Sequence, residues 1–341
     1  MASRVYCTYF DHNYLPRGLA LYRSLQRHAP GAELWVLCLS EACHRALLAL
    51  GLPHLIPVRL ADFEAANPDV AATRSSRSQI EYYFTCSPAW ILFVLESSRD
   101  AEWATYLDSD LFFFASPEPI YDEMKDAGFG IIPHRFSRGL EEQRKYGLYN
   151  VGWVSARKRD DGIAALRWWR ERCIEWCYDR VEGDRFADQR YLDRMPETFG
   201  AHVISHLGAN LAPWNISDCR LEWNNGRVEI DQGYPLLFFH FYGVKRIGGY
   251  YFNSHRLYRA PFSVLMKKRL YAPYAAALAD AERSLAPLLQ GEQFETVRKP
   301  VAGNFIERFM NALRRIWTVV FRGVDIVTGR AIAVREADSL S

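Results

Sequence analysis

Several things are scarce in this 341-residue chain. It has no run of ~18 apolar residues, so no membrane-spanning helix is predicted. The first residues, Met1 to Thr8, enter a strand pattern with no apolar signal-peptide core, and the expectation is a cytoplasmic protein whose membrane contact, if any, is peripheral. Neither sign of charge dominates. Forty-two Lys and Arg stand against 40 Asp and Glu, a formal +2, and nothing global points to nucleic acid. The seven cysteines, Cys7, Cys38, Cys43, Cys86, Cys173, Cys177 and Cys219, show neither zinc-site spacing nor a disulfide framework, so reduced and mostly buried thiols are expected. No Gly-x-Gly-x-x-Gly follows the first strand pattern and no Gly-Lys-Ser/Thr occurs, which argues against a classical dinucleotide site or a P-loop.

What the chain does contain is an alternation of strand and helix patterns. Val5 to Phe10 reads as a buried strand, about Gly18 to Arg27 as an amphipathic helix, Leu34 to Leu39 as a second strand and Glu41 to Leu50 as a second helix. Such alternation predicts an α/β fold, a mainly parallel sheet flanked by helices, with ligands bound outside the carboxyl ends of its strands. Residues 60–80 read as a polar, Arg-bearing loop (Arg74, Arg77), followed by a helix from about Pro88 to Glu96.

The stretch from Trp103 to Phe114 reads as a buried aromatic strand interrupted by Asp108 and Asp110. Burying unpaired anions costs several kcal/mol or more, so a compensating partner is expected. Two oxygen ligands this close suit Mg²⁺ or Mn²⁺.

Further candidates lie where strands end. Asp11 and Asn13 fit either ligand contact or capping and turn formation. Arg77 fits either a diphosphate or a solvated linker. Asn150 and Gly152 interrupt a strand as a close approach of ligand or backbone would, or as turn chemistry would. Cys173 and Cys177 share one helical face with tryptophans and read as buried scaffold. The loop Asn210 to Asn215, with Trp214 as an exposed-type aromatic, has the composition that grips sugars. His240 ends the last core strand, Pro235 to Gly243. It is either structural or a third metal ligand, with the cations Lys245 and Arg246 just beyond.

With Asp108-Ser109-Asp110 after a buried strand and His240-Phe-Tyr-Gly243 downstream, residues 4–250 resemble GT-A-fold glycosyltransferases, closest in pattern to glycosyltransferase family 8 and related bacterial proteins. The resemblance implies a GT-A, Rossmann-like catalytic domain over residues 1–250 and a helical C-terminal extension over 251–341. It implies Mn²⁺ (or Mg²⁺) held by Asp108, Asp110 and His240, bridging the diphosphate of a nucleotide sugar, with UDP favoured. It assigns donor contacts to Thr8, Phe10, Asp11, Asn13, Arg77, Ser109, Asn150, Gly152, Gly243, Lys245 and Arg246, and catalytic duty to Asp188 and Gln189. The implied reaction is hexosyl transfer to a glycan or lipid-linked glycan hydroxyl, with retention of configuration. Thr85 and Cys86 stand where the family carries an arginine ahead of its Asp-x-Asp motif.

In the tail, Phe305, Phe309, Leu313, Ile316, Trp317, Val320 and Val324 recur at helical spacing beside Arg308, Arg314, Arg315 and Arg322. Segment 304–328 is therefore expected to form a basic amphipathic helix that lies on the inner face of a membrane or packs on protein. Two rival functions are a sugar-nucleotide nucleotidyltransferase, whose Gly-rich first loop is absent here, and a non-catalytic carbohydrate-binding protein.

Overall fold

The computed structural model describes residues 3–231, 233–292 and 321–334. Most of segment 304–328, including Phe305 to Val320, lies outside the described residues.

The first half alternates as its hydrophobic periodicity requires. Strand β1 (Arg4–Phe10) leads to helix α1 (Leu15–His28), then β2 (Glu33–Cys38), α2 (Glu41–Leu50) and β3 (Leu55–Arg59). The Ser40 hydroxyl caps α2 by accepting from the Cys43 N–H, and Gly51 ends it in the left-handed conformation. Residues 60–80 are not the loop expected from their polarity. They fold into α3 (Leu60–Ala66), α4 (Pro68–Ala72) and a short 3₁₀ turn, anchored by buried Phe63 and Val70. Helix α5 (Gln79–Ser97) starts nine residues before Pro88, because a reciprocal Ser78–Glu81 capping box sets its origin.

Strand β4 (Trp103–Leu107) is followed by β5 (Leu111–Phe113), α6 (Glu118–Met124), β6 (Phe129–Pro133), β7 (Tyr149–Arg157) and α7 (Asp160–Glu175). Then come α8 (Met195–Phe199), β8 (His202–Val203), β9 (Leu221–Asn224), β10 (Arg227–Ile230), β11 (Tyr234–Pro235), β12 (Phe238–His240), β13 (Lys245–Ile247) and β14 (Tyr250–Phe252). Helices α9 (Val264–Met266) and α10 (Ala272–Leu285), a helical stretch over 321–327 and strand β15 (Ile332–Ala333) follow.

The central sheet has the order β3-β2-β1-β4-β7-β6-β8. Strands β3, β2, β1 and β4 run parallel, while β7 is antiparallel to both β4 and β6. One face packs on α5 and α7 and the other on α1, α2 and α6, so the sheet is covered on both sides and its middle strands are almost wholly apolar. Packing continues across residue 250. Ala281 and Leu285 of α10 and Leu289 join the core on the α1 side, and Arg23 of α1 pairs with Asp280. The seven cysteines are free thiols, six of them buried. Among the described residues no helix is long and apolar enough to cross a membrane.

Candidate functional site

The stretch 103–114 is two strands, not one. At Leu107 the chain leaves the central sheet. It turns through Asp108, Ser109 and Asp110, where the Leu111 N–H donates to the Asp108 carbonyl at 3.1 Å. It then continues as β5, which pairs antiparallel with β12 in a separate two-stranded ladder. The register sets His240 opposite Leu111, and the Phe241 N–H donates to the Asp110 carbonyl at 2.9 Å. Backbone pairing thereby places a histidine beside an aspartate 130 positions earlier.

His240 Nε2 lies 2.9 Å from Asp110 Oδ1 and 3.6 Å from Asp108 Oδ2. The three ligand atoms fall within 4.8 Å of one another. Burial pulls the His240 imidazole down, but Asp110 and Asp108 outweigh it and raise the pKa overall. Burial pushes Asp110 up, and the facing imidazole more than reverses this. Asp108 is driven to about 6 by burial, opposed by His240 and aided by Asp110. The Tyr106 hydroxyl donates to Asp108 Oδ1 at 3.0 Å, which leaves Oδ2 turned toward the histidine. Two carboxylates and an imidazole converging in a partly desolvated crevice fit a divalent cation of the Mn²⁺ or Mg²⁺ kind.

Gly152 explains how His240 comes so close. A Cβ there would stand 2.4 Å from Asn150 Oδ1 and 3.1 Å from the His240 ring. The close approach expected of the Asn150–Gly152 pair is thus made by a side chain of the site itself. Asn150 Oδ1 accepts from the Gly152 N–H, and its amide nitrogen reaches His134 Nε2 (3.3 Å) and Gln189 Oε1 (3.4 Å). Gln189 in turn donates to the Tyr146 carbonyl at 2.9 Å. Burial holds His134 at about 3, so it stays neutral.

Asp188 is buried at 3 % exposure and its Oδ2 has no hydrogen-bond partner among the described residues. Its carbonyl accepts from Trp169 Nε1 at 2.8 Å, and the preceding Ala187 has φ of +46°, so the backbone aims it inward. Burial pushes the Asp188 carboxyl up to about 7; Ser87 pulls it down and Asp108 adds to the rise. Ser87 also meets the Tyr9 hydroxyl at 3.1 Å.

Arg77, Arg246 and Phe10 are engaged by neighbours within the fold. Arg77 donates to the Cys173 and Ile174 carbonyls and lies over Tyr178, so it caps the end of α7 rather than facing Asp108. Arg246 pairs with Glu282 of α10. Phe10 is core, packed so tightly on Gly18 that a Cβ there would overlap its ring. Thr8 is buried in β1, and Ser109 is buried in the turn between Asp108 and Asp110. Trp214 is buried, not exposed. Its ring meets His240 edge-on at 5.0 Å, and its indole N–H donates to the His134 carbonyl.

Asp11 closes a local turn by accepting from the backbone and side-chain amides of Asn13, which sets both at the carboxyl end of β1. Gly243 has φ of +74°, so the turn after His240 demands glycine. Lys245 is exposed. Arg17 joins the site without a motif to mark it. Its guanidinium donates to the Val244 carbonyl at 2.6 Å, lies over Tyr14 and depresses the Asp110 pKa, so α1 supplies a cation to the site. Its only sequence signal is a position one turn into the helix after Asp11.

No protein-family model matches the chain. Among solved structures it is similar to mouse xyloside xylosyltransferase 1 in its apo form, with TM-score 0.45 and 13 % identity, covering 70 % of this chain and 97 % of that one. It is also similar to the galactosyltransferase LgtC in complex with donor and acceptor sugar analogs, with TM-score 0.43 and 19 % identity, covering 70 % and 87 %. In sequence it is 35 % identical to the uncharacterized protein YfnF of Bacillus subtilis (strain 168) over 251 residues, 71 % of this chain and 82 % of that protein. It is 32 % identical to the uncharacterized protein YfnD of the same organism over 278 residues, 80 % of this chain and 88 % of that one. The chain belongs to the family of YfnF and YfnD.

Proposed function

We propose that this protein is a metal-dependent glycosyltransferase that moves a sugar from a nucleotide-diphosphate sugar, UDP-linked by preference, to a hydroxyl of a glycan or lipid-linked glycan, with retention of configuration. The observation that carries the reading is the convergence of Asp108, Asp110 and His240 at the carboxyl end of the sheet, with the buried Asp188 carboxyl on the same side. Asp108, Asp110 and His240 would hold Mn²⁺ or Mg²⁺, which supplies positive charge against the diphosphate as the sugar–phosphate bond breaks.

The chain's own groups take the remaining tasks. Arg17, held by the Val244 carbonyl, and exposed Lys245 add cationic charge on the leaving-group side. Tyr106 fixes the rotation of Asp108. Asp11 and Asn13, locked in their turn, and Gly243 shape the rim that takes the nucleotide. Asp188 faces the transferred sugar. With a pKa of about 7 it exchanges between a hydrogen-bond donor and a carboxylate that stabilises oxocarbenium-like charge. Gln189, fixed by Tyr146 and Asn150, positions the acceptor hydroxyl.

A thermal-shift panel of nucleotide sugars with and without Mn²⁺ tests the assignment. A stabilisation that needs both donor and metal, and is absent in Asp108→Ala and His240→Ala, is expected. Equal shifts in wild type and variants would overturn it.

A further inference from the structure

A second surface, remote in sequence from the metal cluster's acids, carries a chemistry that sugar transfer does not use. The three most exposed large apolar side chains among the described residues are Val327 (87 %), Leu257 (76 %) and Val264 (70 %). Contacts join the segments that bear them. Arg256 donates to Asp325 at 2.7 Å and lies 5.5 Å over the Phe321 ring. Asn253 donates to the Arg330 carbonyl, and β15 pairs with β14. On the other side, a Cβ at Gly329 would stand 3.8 Å from the ammonium of Lys267, one helical turn beyond Val264.

The charge around this face is one-sided. From residue 232 to residue 279 the chain carries seven Lys or Arg and no Asp or Glu, although acids and bases balance over its whole length. Two of the seven are occupied elsewhere, Arg246 on Glu282 and Arg269 over Trp223. The one acid that the returning segment 321–334 brings, Asp325, is neutralised by Arg256. Arg259, Lys267 and Lys268 of the same run, with Arg322 of the returning segment over the Phe252 ring, form the cationic rim.

Scattered exposed aliphatics are ordinary, but three that are more than two-thirds exposed, borne on basic segments that hold a single, paired acid, are not. A nucleic acid would use the cations and leave the aliphatics in water. A phospholipid surface uses both, the aliphatics entering the headgroup boundary and the cations meeting anionic headgroups. We propose that this face docks the protein on an anionic phospholipid bilayer. The proposal rests on the surface alone and is independent of the transfer reaction.

Co-sedimentation of the full chain with vesicles of phosphatidylcholine, with and without phosphatidylglycerol, tests it. Binding is expected only to the anionic vesicles and should weaken with salt. A loss of about tenfold or more is expected in Leu257→Ser/Val264→Ser/Val327→Ser and again in Lys267→Glu/Lys268→Glu. Each variant should keep the metal- and donor-dependent thermal shift of the wild type. Wild-type binding that ignores lipid charge, or that both variants retain, would overturn the proposal. So would a solution dimer dissolved by the triple variant, since a second copy would then cover the face. Vesicle binding and the donor-dependent shift are read separately, so failure of one leaves the other standing.

Discussion

Thr105 and Asp108 lie three residues apart at β4 and belong to polar clusters built to opposite rules. The Thr105 hydroxyl is paired on two sides. It meets Tyr121 at 2.7 Å and Ser155 at 2.8 Å, tying β4 to α6 and β7 with all three groups buried. Around Asp108 the accounts stay open. His240 Nδ1 and Asp188 Oδ2 are buried without partners among the described residues, and the Asp108 and Asp188 carboxyls have raised pKa values. A closed network holds strands together at little cost, whereas each unpaired buried group costs about 1–3 kcal/mol. Polar burial at Thr105 ties strands together, whereas the proposed metal site keeps polar groups open.

The largest expected break is at the open end. Asp110→Ala removes a proposed metal ligand and the partner of His240, and a loss of roughly 10³-fold in turnover is expected in a sugar-nucleotide transfer assay. Asp188→Asn comes next and acts on stability. The native Asp188 pKa of about 7 lies above the usual carboxylate value, so the folded state binds the extra proton. Stability from this group is therefore full below about pH 4 and lost as pH rises toward 7. Metal-free Asp188→Asn should thus exceed wild type in stability by up to ~3–4 kcal/mol at pH 8 and match it near pH 4, measured by urea unfolding across pH. In the closed cluster, Thr105→Val strands Tyr121 and Ser155. It should cost about 2–3 kcal/mol in the same unfolding assay while donor affinity stays unchanged. Gly152→Ala should have the smallest effect. The added methyl presses on Asn150 and the His240 ring, and Mn²⁺ affinity by titration calorimetry should fall by about tenfold with the fold intact. Unchanged metal affinity in Gly152→Ala, or donor loss in Thr105→Val, would erase the distinction between the two clusters.

Much of this architecture could be read from local pattern. Helix α2 occupies Glu41–Leu50 as periodicity predicts, because its cap, its apolar face and its closing glycine all agree. The Asp108–Asp110 pair advertised itself as charge inside an aromatic run, and His240 as a polar end to an apolar strand. What local pattern misled about was origin and partner. Pro88 resembles a helix start but sits inside α5, since the Ser78–Glu81 box lies upstream. Arg77 and Arg246 have the chemistry for phosphate, yet a helix end and Glu282 take them. The Tyr106, Tyr9 and Ser87 contacts around the two raised carboxyls draw on three elements, and no sequence window spans them.

The ladder between β5 and β12 carries a kinetic consequence. Asp110 and His240 become neighbours only when segments more than a hundred residues apart have paired, and such long loops close late because their entropy must be met first. A cation bound between these two side chains would then act on a contact that the folding transition state lacks. Mn²⁺ should therefore slow unfolding while leaving the refolding rate nearly unchanged.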